Sequence, residues 1–180
     1  MDAVAALRAG RPVLLPTDGV YGICSLVDEA SARALYELKG RDLSQPSAII
    51  AASVAALLEL VPELDAELVL AGPYTVVLPN PARRLAWLNG DRPDTIGVRV
   101  PLLPAQAKSV LDAVGAVVAT SANEPGEPPA VTLDDVPARI RTGVAAELDA
   151  GPLPGTPSTV VDLTGPEPVV LRRGAGPYPA

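Results

Sequence analysis

Four stretches of this chain place small or hydroxylated residues where apolar runs end: Pro16-Thr17-Asp18, Thr120-Ser121-Ala122-Asn123, Pro157-Ser158-Thr159 and Arg172-Arg173-Gly174-Ala175. In open α/β sheets ligands bind where strand ends and loops converge, so a site is expected there. Any one of the four could merely cap a helix or close a turn. Basic groups sharpen the reading. Lys39 and Arg41 flank Gly40 beyond a helical run, where a lone lysine would ordinarily meet the helix dipole. Arg99 stands in the apolar run Gly97-Val98-Arg99-Val100-Pro101, and a guanidinium buried there unpaired would be costly, so it needs an anion. The chain has no His and a single Cys, Cys24. Imidazole catalysis of the triad kind, a Cys/His zinc site and an intramolecular disulfide are thereby excluded. A small anionic ligand held by a few inward-facing arginines is the chemistry left open.

Those residues need a frame. Residues 3–9 read as a short amphipathic helix closed by Gly10, and Pro12 leads into a buried strand through Val13, Leu14 and Leu15 that runs into PTDGVYGI. Asp28 or Ser31 can cap a helix through ARALYELK, with Ala30, Ala34, Leu35 and Leu38 on one face and Gly40 just past its end. A strand over Ala48 to Ala51 precedes a helix VAALLELV, capped by Ser53 and stopped by Pro62, with more helix near residues 64–70. Thr75 to Leu78 and Gly97 to Val100 read as strands, and the polar, turn-rich NPARRLAWLNGDRPDT between them as an excursion or lid. Pro104 opens a helix through AQAKSVLDAV that ends at Gly115, and a strand over Ala116 to Ala119 delivers TSAN at its end. EPGEPP is a loop, a weak helix follows from Thr132 or Asp135 to Arg141, and GPLPGTP at 151–157 is a surface loop. Thr159 to Leu163 and Val169 to Arg172 form a hairpin through TGPEP. Such βα units with an antiparallel closure indicate the α/β class, and residues 1–180, without internal repeat, read as one domain.

Composition bounds the partners. Hydrophobic residues make up 48% of the 180 and aromatics 3%, with no Phe, so the core is built from Ala, Val, Leu and Ile. Of 14 basic residues only Lys39 and Lys108 are lysines, and the net charge is −7. That charge argues against a broad grip on nucleic acid, which needs a basic field. MDAVAALRAG carries an acid at position 2 and no long apolar run, so neither a signal peptide nor a membrane anchor is expected and the location expected is cytoplasmic.

In order and context these motifs resemble the YrdC/Sua5/YciO family along nearly the whole chain. The opening PT-(D/E)-x-VYGL is similar to Pro16-Thr17-Asp18-Gly19-Val20-Tyr21-Gly22-Ile23, and K-x-R to Lys39-Gly40-Arg41. PGP-x-T resembles Ala71-Gly72-Pro73-Tyr74-Thr75, and VR-x-P resembles Val98-Arg99-Val100-Pro101. The later motifs (T/S)SAN-x-SG, STVVD and LR-x-GA resemble residues 120–126, Ser158-Thr159-Val160-Val161-Asp162 and residues 171–175. The resemblance implies a twisted mixed sheet flanked by helices with a concave, positively lined ligand cleft. It implies an L-threonylcarbamoyladenylate synthase of the short form, a nucleotidyltransferase. Threonine and bicarbonate give a carbamate whose oxygen attacks the α-phosphate of ATP and expels pyrophosphate, Mg²⁺ assisting. Downstream t6A transferase proteins then move the group to adenosine 37 of tRNA, which this chain contacts weakly or indirectly.

The same resemblance assigns roles. Lys39 and Arg41 hold the triphosphate and act in catalysis, while Ser121, Asn123, Ser158 and Arg172 contact the nucleotide. Thr17, Tyr21, Thr75 and Arg99 face threonine. In-line attack at phosphorus requires charge neutralisation and positioning rather than a covalent nucleophile, so these residue types suffice without His or Cys. Three positions depart from the pattern: Gly19 where many relatives carry Thr or Ala, Asp42 where they carry Pro, and Pro125 where they carry Ser. The competing reading is a YciO-like nucleotide- or RNA-binding protein without efficient adenylate synthesis. A carbamoyl-transfer module like that of hydrogenase maturation proteins is a third.

Overall fold

A computed structural model of the chain describes residues 1–42 and 44–178. Its frame is one sheet of eight strands: β1 (Val13–Pro16), β2 (Tyr21–Leu26), β3 (Ala48–Ala51), β4 (Tyr74–Pro79), β5 (Thr95–Arg99), β6 (Ala116–Ser121), β7 (Thr159–Asp162) and β8 (Val169–Arg172). The order across the sheet is β1-β2-β6-β3-β5-β4-β7-β8. Pairs β3/β5 and β4/β7 run parallel and the others antiparallel, so the sheet is mixed and the α/β class holds.

Five helices cover it: α1 (Ala3–Arg8), α2 (Glu29–Lys39), α3 (Val54–Leu60), α4 (Ala105–Val114) and α5 (Ala138–Gly143). Strand side chains alternate between faces. Ile49, Val76, Val98, Val118 and Val161 therefore share one face; the first four pack with Ala32 of α2 and Leu57 of α3. Leu14, Tyr21 and Ile23 continue that face against Leu35 of α2 and Ile140 of α5. On the opposite face α1 and α4 cover only the β1/β2/β6 end, packing Ala6, Leu7 and Leu111 on Val13, Cys24 and Val117. Among the described residues the rest of that second face carries no helix.

Local signals explain the helix ends. Asp28 caps α2 by accepting from the Ser31 amide at 2.9 Å, and Gly40 closes it at φ 66°, the left-handed conformation that glycine adopts without penalty. Ser53 Oγ caps α3 through the Ala56 amide at 3.1 Å. Pro104 precedes α4 and Gly115 ends it.

Several expectations are corrected. The stretch PTDGVYGI turns back on itself: Thr17 to Val20 form the turn of a β1/β2 hairpin, the Thr17 amide donating to the Val20 carbonyl, and β2 is a full strand not among those expected. The buried stripe of α2 is Ala32, Leu35, Tyr36 and Lys39 rather than Ala30, Ala34, Leu35 and Leu38. Both stripes satisfy a 3.6-residue period, and the bulkier Tyr36 decides between them. The helix expected at 64–70 shrinks to one 3₁₀ turn, Ala66–Leu68. Residues 80–95 are no lid, because Leu88 is fully buried in the core and its neighbour Asn89 is buried too.

Candidate functional site

On the uncovered part of the second face lies a cavity of about 620 Å³. Its floor follows from the strand alternation: Ala48 and Ile50 of β3, Thr75 and Val77 of β4, Gly97 and Arg99 of β5, Ala119 and Ser121 of β6, and Val160 of β7 all point into it. Cross-strand register puts Val77, Gly97, Ala48 and Ala119 in one row. Glycine and alanine there keep the floor low. Arg41, Arg92, Arg99 and Arg172 line the cavity against a single acidic lining residue, Asp91. A chain of net charge −7 thus keeps a locally basic cavity, the complement of a polyanionic ligand.

At one end stand the products of α2 and β6. Because Lys39 lies two helical turns beyond Ala32 on the buried stripe, its side chain is carried inward and the residue is only 4% exposed. Its ammonium donates to the Asn123 carbonyl and, at 2.8 Å, to Asn123 Oδ1, which also accepts from Ser121 Oγ at 2.6 Å. Lys39 itself does not line the cavity; Ser121 and Asn123 do. Burial, reinforced by the Arg41 charge, lowers the Lys39 ammonium to about 8. Arg41 donates to Thr120 Oγ1 at 3.3 Å and to the Pro46 carbonyl at 2.6 Å, and its Nε is buried without a partner. Burial lowers its pKa as well.

At the other end Arg172 donates to the Ser158 carbonyl at 2.8 Å and to Ser158 Oγ at 3.1 Å, and Ser158 Oγ lies 2.8 Å from Thr75 Oγ1. Burial, then the neighbouring Arg99 charge, lowers Arg172. The anion expected for Arg99 is found within the protein: its Nη2 donates to Asp18 Oδ1. Arg99 Nε and Asp18 Oδ2 stay buried without partners. Two guanidinia against one carboxylate leave this end with an unmatched positive charge. Thr17 lines the cavity, although its hydroxyl proton closes the hairpin turn on the Val20 carbonyl at 2.6 Å.

Of the two expected residues that do not line the cavity, Lys39 reaches a lining residue, Asn123, whereas Tyr21 faces away. It alternates with Gly22, which lines the cavity, and so points to the opposite face, fully buried beside Leu14 and Leu35. Its hydroxyl donates to the Gly151 carbonyl at 2.9 Å and meets Asp149 Oδ1 at 3.1 Å. Alternation within β2 alone gives this orientation, with Tyr21 on the side of the core residue Ile23 and opposite Gly22. Sequence reasoning also passed over Asp18, present in the opening motif, and Asn89, Asp91, Arg92 and Thr95, which line the cavity from residues set aside as an excursion. Burial raises the Cys24 thiol to about 12, which keeps it protonated.

Comparison with known proteins identifies the family and the fold. The Sua5/YciO/YrdC family model, described as "Telomere recombination", matches residues 5–174. A protein of Chromohalobacter salexigens named threonylcarbamoyl-AMP synthase is 37% identical over 181 residues, 96% of this chain and 95% of its own. The solved Pyrococcus abyssi Sua5 complexed with L-threonine superposes with a TM-score of 0.85 at 31% identity, over 96% of this chain. The chain spans about half, 53%, of that larger Sua5. E. coli YciO superposes with a TM-score of 0.83 at 25% identity, over 97% of this chain and 88% of YciO. With the family model running from residue 5 to residue 174 and a relative matched along nearly its whole length, this chain belongs to the Sua5/YciO/YrdC family.

Proposed function

We propose that this chain is a threonylcarbamoyl-AMP synthase, an enzyme that makes threonylcarbamoyl-AMP and pyrophosphate from ATP, L-threonine and bicarbonate. The observation that carries the reading is the 37% identity to the Chromohalobacter salexigens synthase across 96% of one chain and 95% of the other. The basic cavity supports it physically. As a nucleotidyltransferase the enzyme joins a carbamate oxygen to the α-phosphorus of ATP and breaks the bond from that phosphorus to the β-phosphate oxygen. The threonine amine first bonds to the carbon of bicarbonate, losing water and one net proton.

In this reading Lys39 leaves Asn123 for a phosphate oxygen, and Arg41 offers the guanidinium edge whose Nε has no partner. Both stabilise charge that grows on the departing pyrophosphate. The threonine carboxylate meets the unmatched positive charge of Arg99 and Arg172, with the Asp18 carboxylate holding Arg99 in place. Among the described residues no cluster of three or more acidic, Cys or His side chains could bind a metal ion. Mg²⁺, entering with ATP, would add charge neutralisation at the phosphates beside Arg41 and Lys39. The product feeds tRNA modification through separate transferase proteins, and the setting proposed is the cytoplasm; among the described residues no helix is long and apolar enough to cross a membrane. The alternative of a YciO-like binder without synthesis is not favoured, because the similarity to named synthases spans most of the chain.

Incubation with ¹³C-bicarbonate, threonine and MgATP tests the product directly. Mass spectrometry should find threonylcarbamoyl-AMP heavier by about one mass unit, since bicarbonate supplies its carbamoyl carbon. An unlabelled product, or AMP without the adduct, would refute the assignment.

A further inference from the structure

One wall of the cavity is backbone rather than side chain, and it is threaded between two glycines. A Cβ built on Gly19 would overlap the Thr156 carbonyl oxygen, and one built on Gly174 would lie 2.5 Å from the Ser158 carbonyl oxygen, inside the 3.0 Å that real Cβ atoms essentially never breach. Neither glycine has a left-handed φ. Alanine is thus sterically excluded by the neighbouring backbone and not by its own conformation. The Gly155 amide donates to the Gly19 carbonyl at 2.8 Å, and the Ala175 amide donates to the Pro157 carbonyl at 2.9 Å. Thr156 to Ser158 is therefore gripped from both sides, with Pro157 and Ser158 facing the cavity.

What the grip positions is a hydrogen-bond relay. Arg172 is donor-only, so Ser158 Oγ accepts from it at 3.1 Å. Ser158 Oγ keeps a second lone pair, so across the 2.8 Å to Thr75 Oγ1 either hydroxyl can donate. When Ser158 donates, the Thr75 proton is free for the cavity, which its side chain lines. Thr75 thereby presents a polarised O–H to an anionic oxygen of the ligand.

We propose that Gly19, with Gly174, is a positioning residue for the reaction: the side-chain-free slot sets Ser158 between Arg172 and Thr75 and aims the Thr75 hydroxyl at a substrate oxygen. The inference rests on the synthase reading for the substrates. It does not rest on it for the geometry. It also gives the departure at Gly19 a physical reason, because in this chain the Thr156 backbone occupies the space that a Thr or Ala side chain would take.

The test pairs structure with kinetics. Gly19→Ala and Gly174→Ala should shift the Ser158 and Ala175 amide resonances and speed hydrogen exchange at Ala175, a result independent of activity. Gly165→Ala, whose new Cβ would lie 3.8 Å from its nearest neighbour, the Glu167 carbonyl oxygen, should leave them alone. In turnover, Gly19→Ala should raise KM for one substrate about tenfold, the equivalent of one lost hydrogen bond to a charged group, with the other KM unchanged. In a Ser158→Ala background Gly19→Ala should add less than about twofold, because the relay is already cut. Unmoved resonances, or full additivity with Ser158→Ala, would overturn the proposal. If both alanine variants fail to fold, exchange on the parent protein decides. Protection of the Gly155 and Ala175 amides that rises on adding MgATP and threonine supports the slot; exchange at the rate of free loop amides refutes it. A parent without turnover but with shifted resonances in the variants would sink the synthase reading and leave the slot standing.

Discussion

Lys39 shows what a residue-scale account adds to a motif. K-x-R placed a cation at a helix end, where the dipole would suffice to explain it; the structure buries it and gives its protons to Asn123. If Lys39 and Arg41 hold phosphates in turnover, Lys39→Ala and Arg41→Ala should each lower kcat/KM about ten- to a hundred-and-fifty-fold, the worth of a charge-assisted bond. Denaturant midpoints should move by less than about 1 kcal/mol of stability. Arg41→Lys should lose nearly as much as Arg41→Ala, since it keeps the charge and loses the planar fork. Titration gives a second handle. The folded state holds the Lys39 proton less tightly than the unfolded chain, about 8 against 10.5, so the stability penalty is complete below about 8 and is relieved as pH rises through that value towards 10.5. Phosphate binding favours the charged form. ATP binding at pH 8 should therefore take up about half a proton, read by calorimetry in buffers of different ionisation enthalpy. Lys39→Arg, always charged, should take up none, and uptake unchanged in that variant would remove Lys39 from the phosphates. That Ser121, Asn123, Ser158 and Arg172 lie along the cavity was legible because their motifs fall at strand ends, and Arg41 because its motif falls just past a helix. The orientation of Tyr21 was not, because β2 had not been recognised as a strand and its alternation went unused.

At the scale of elements, α2 is the lever that brings the basic pair to the cavity. Its cap Asp28 and its left-handed Gly40 are both visible in the sequence, since capping and closure depend on a few adjacent residues. Asp28→Ala should reduce stability by about 1 kcal/mol, seen as a lower denaturant midpoint, while kcat/KM at temperatures below the transition stays within about twofold. A large kinetic loss with the fold intact would mean that the α2 start, far from the basic pair, shapes the site directly. The stripe that α2 buries was harder to read. Two stripes fit the period, and the choice depends on what the sheet offers opposite Tyr36, which is tertiary information. Residues 80–95 failed for a related reason: polarity suggested an excursion, yet one buried Leu88 pins the segment to the core and delivers Asn89 and Asp91 to the cavity.

For the whole molecule, the order of the sheet could not be read from local pattern, because pairing such as β2 with β6 joins residues almost a hundred positions apart. The α/β class could, since alternating apolar runs and capped helices leave few architectures. Global charge makes its own prediction. With a net charge of −7 and two lysines in the chain, tRNA binding by the isolated protein should be weak at about 150 mM salt, and a filter-binding titration should find no submicromolar affinity. Arg41, Arg92, Arg99 and Arg172 line the cavity, where they suit a small polyanion. The central claim, that this cavity joins threonine, bicarbonate and ATP, is tested most directly by pyrophosphate release from purified protein with Mg²⁺, omitting one component at a time. Release is predicted only when threonine, bicarbonate and ATP are all present; release that persists without bicarbonate or without threonine would contradict the account.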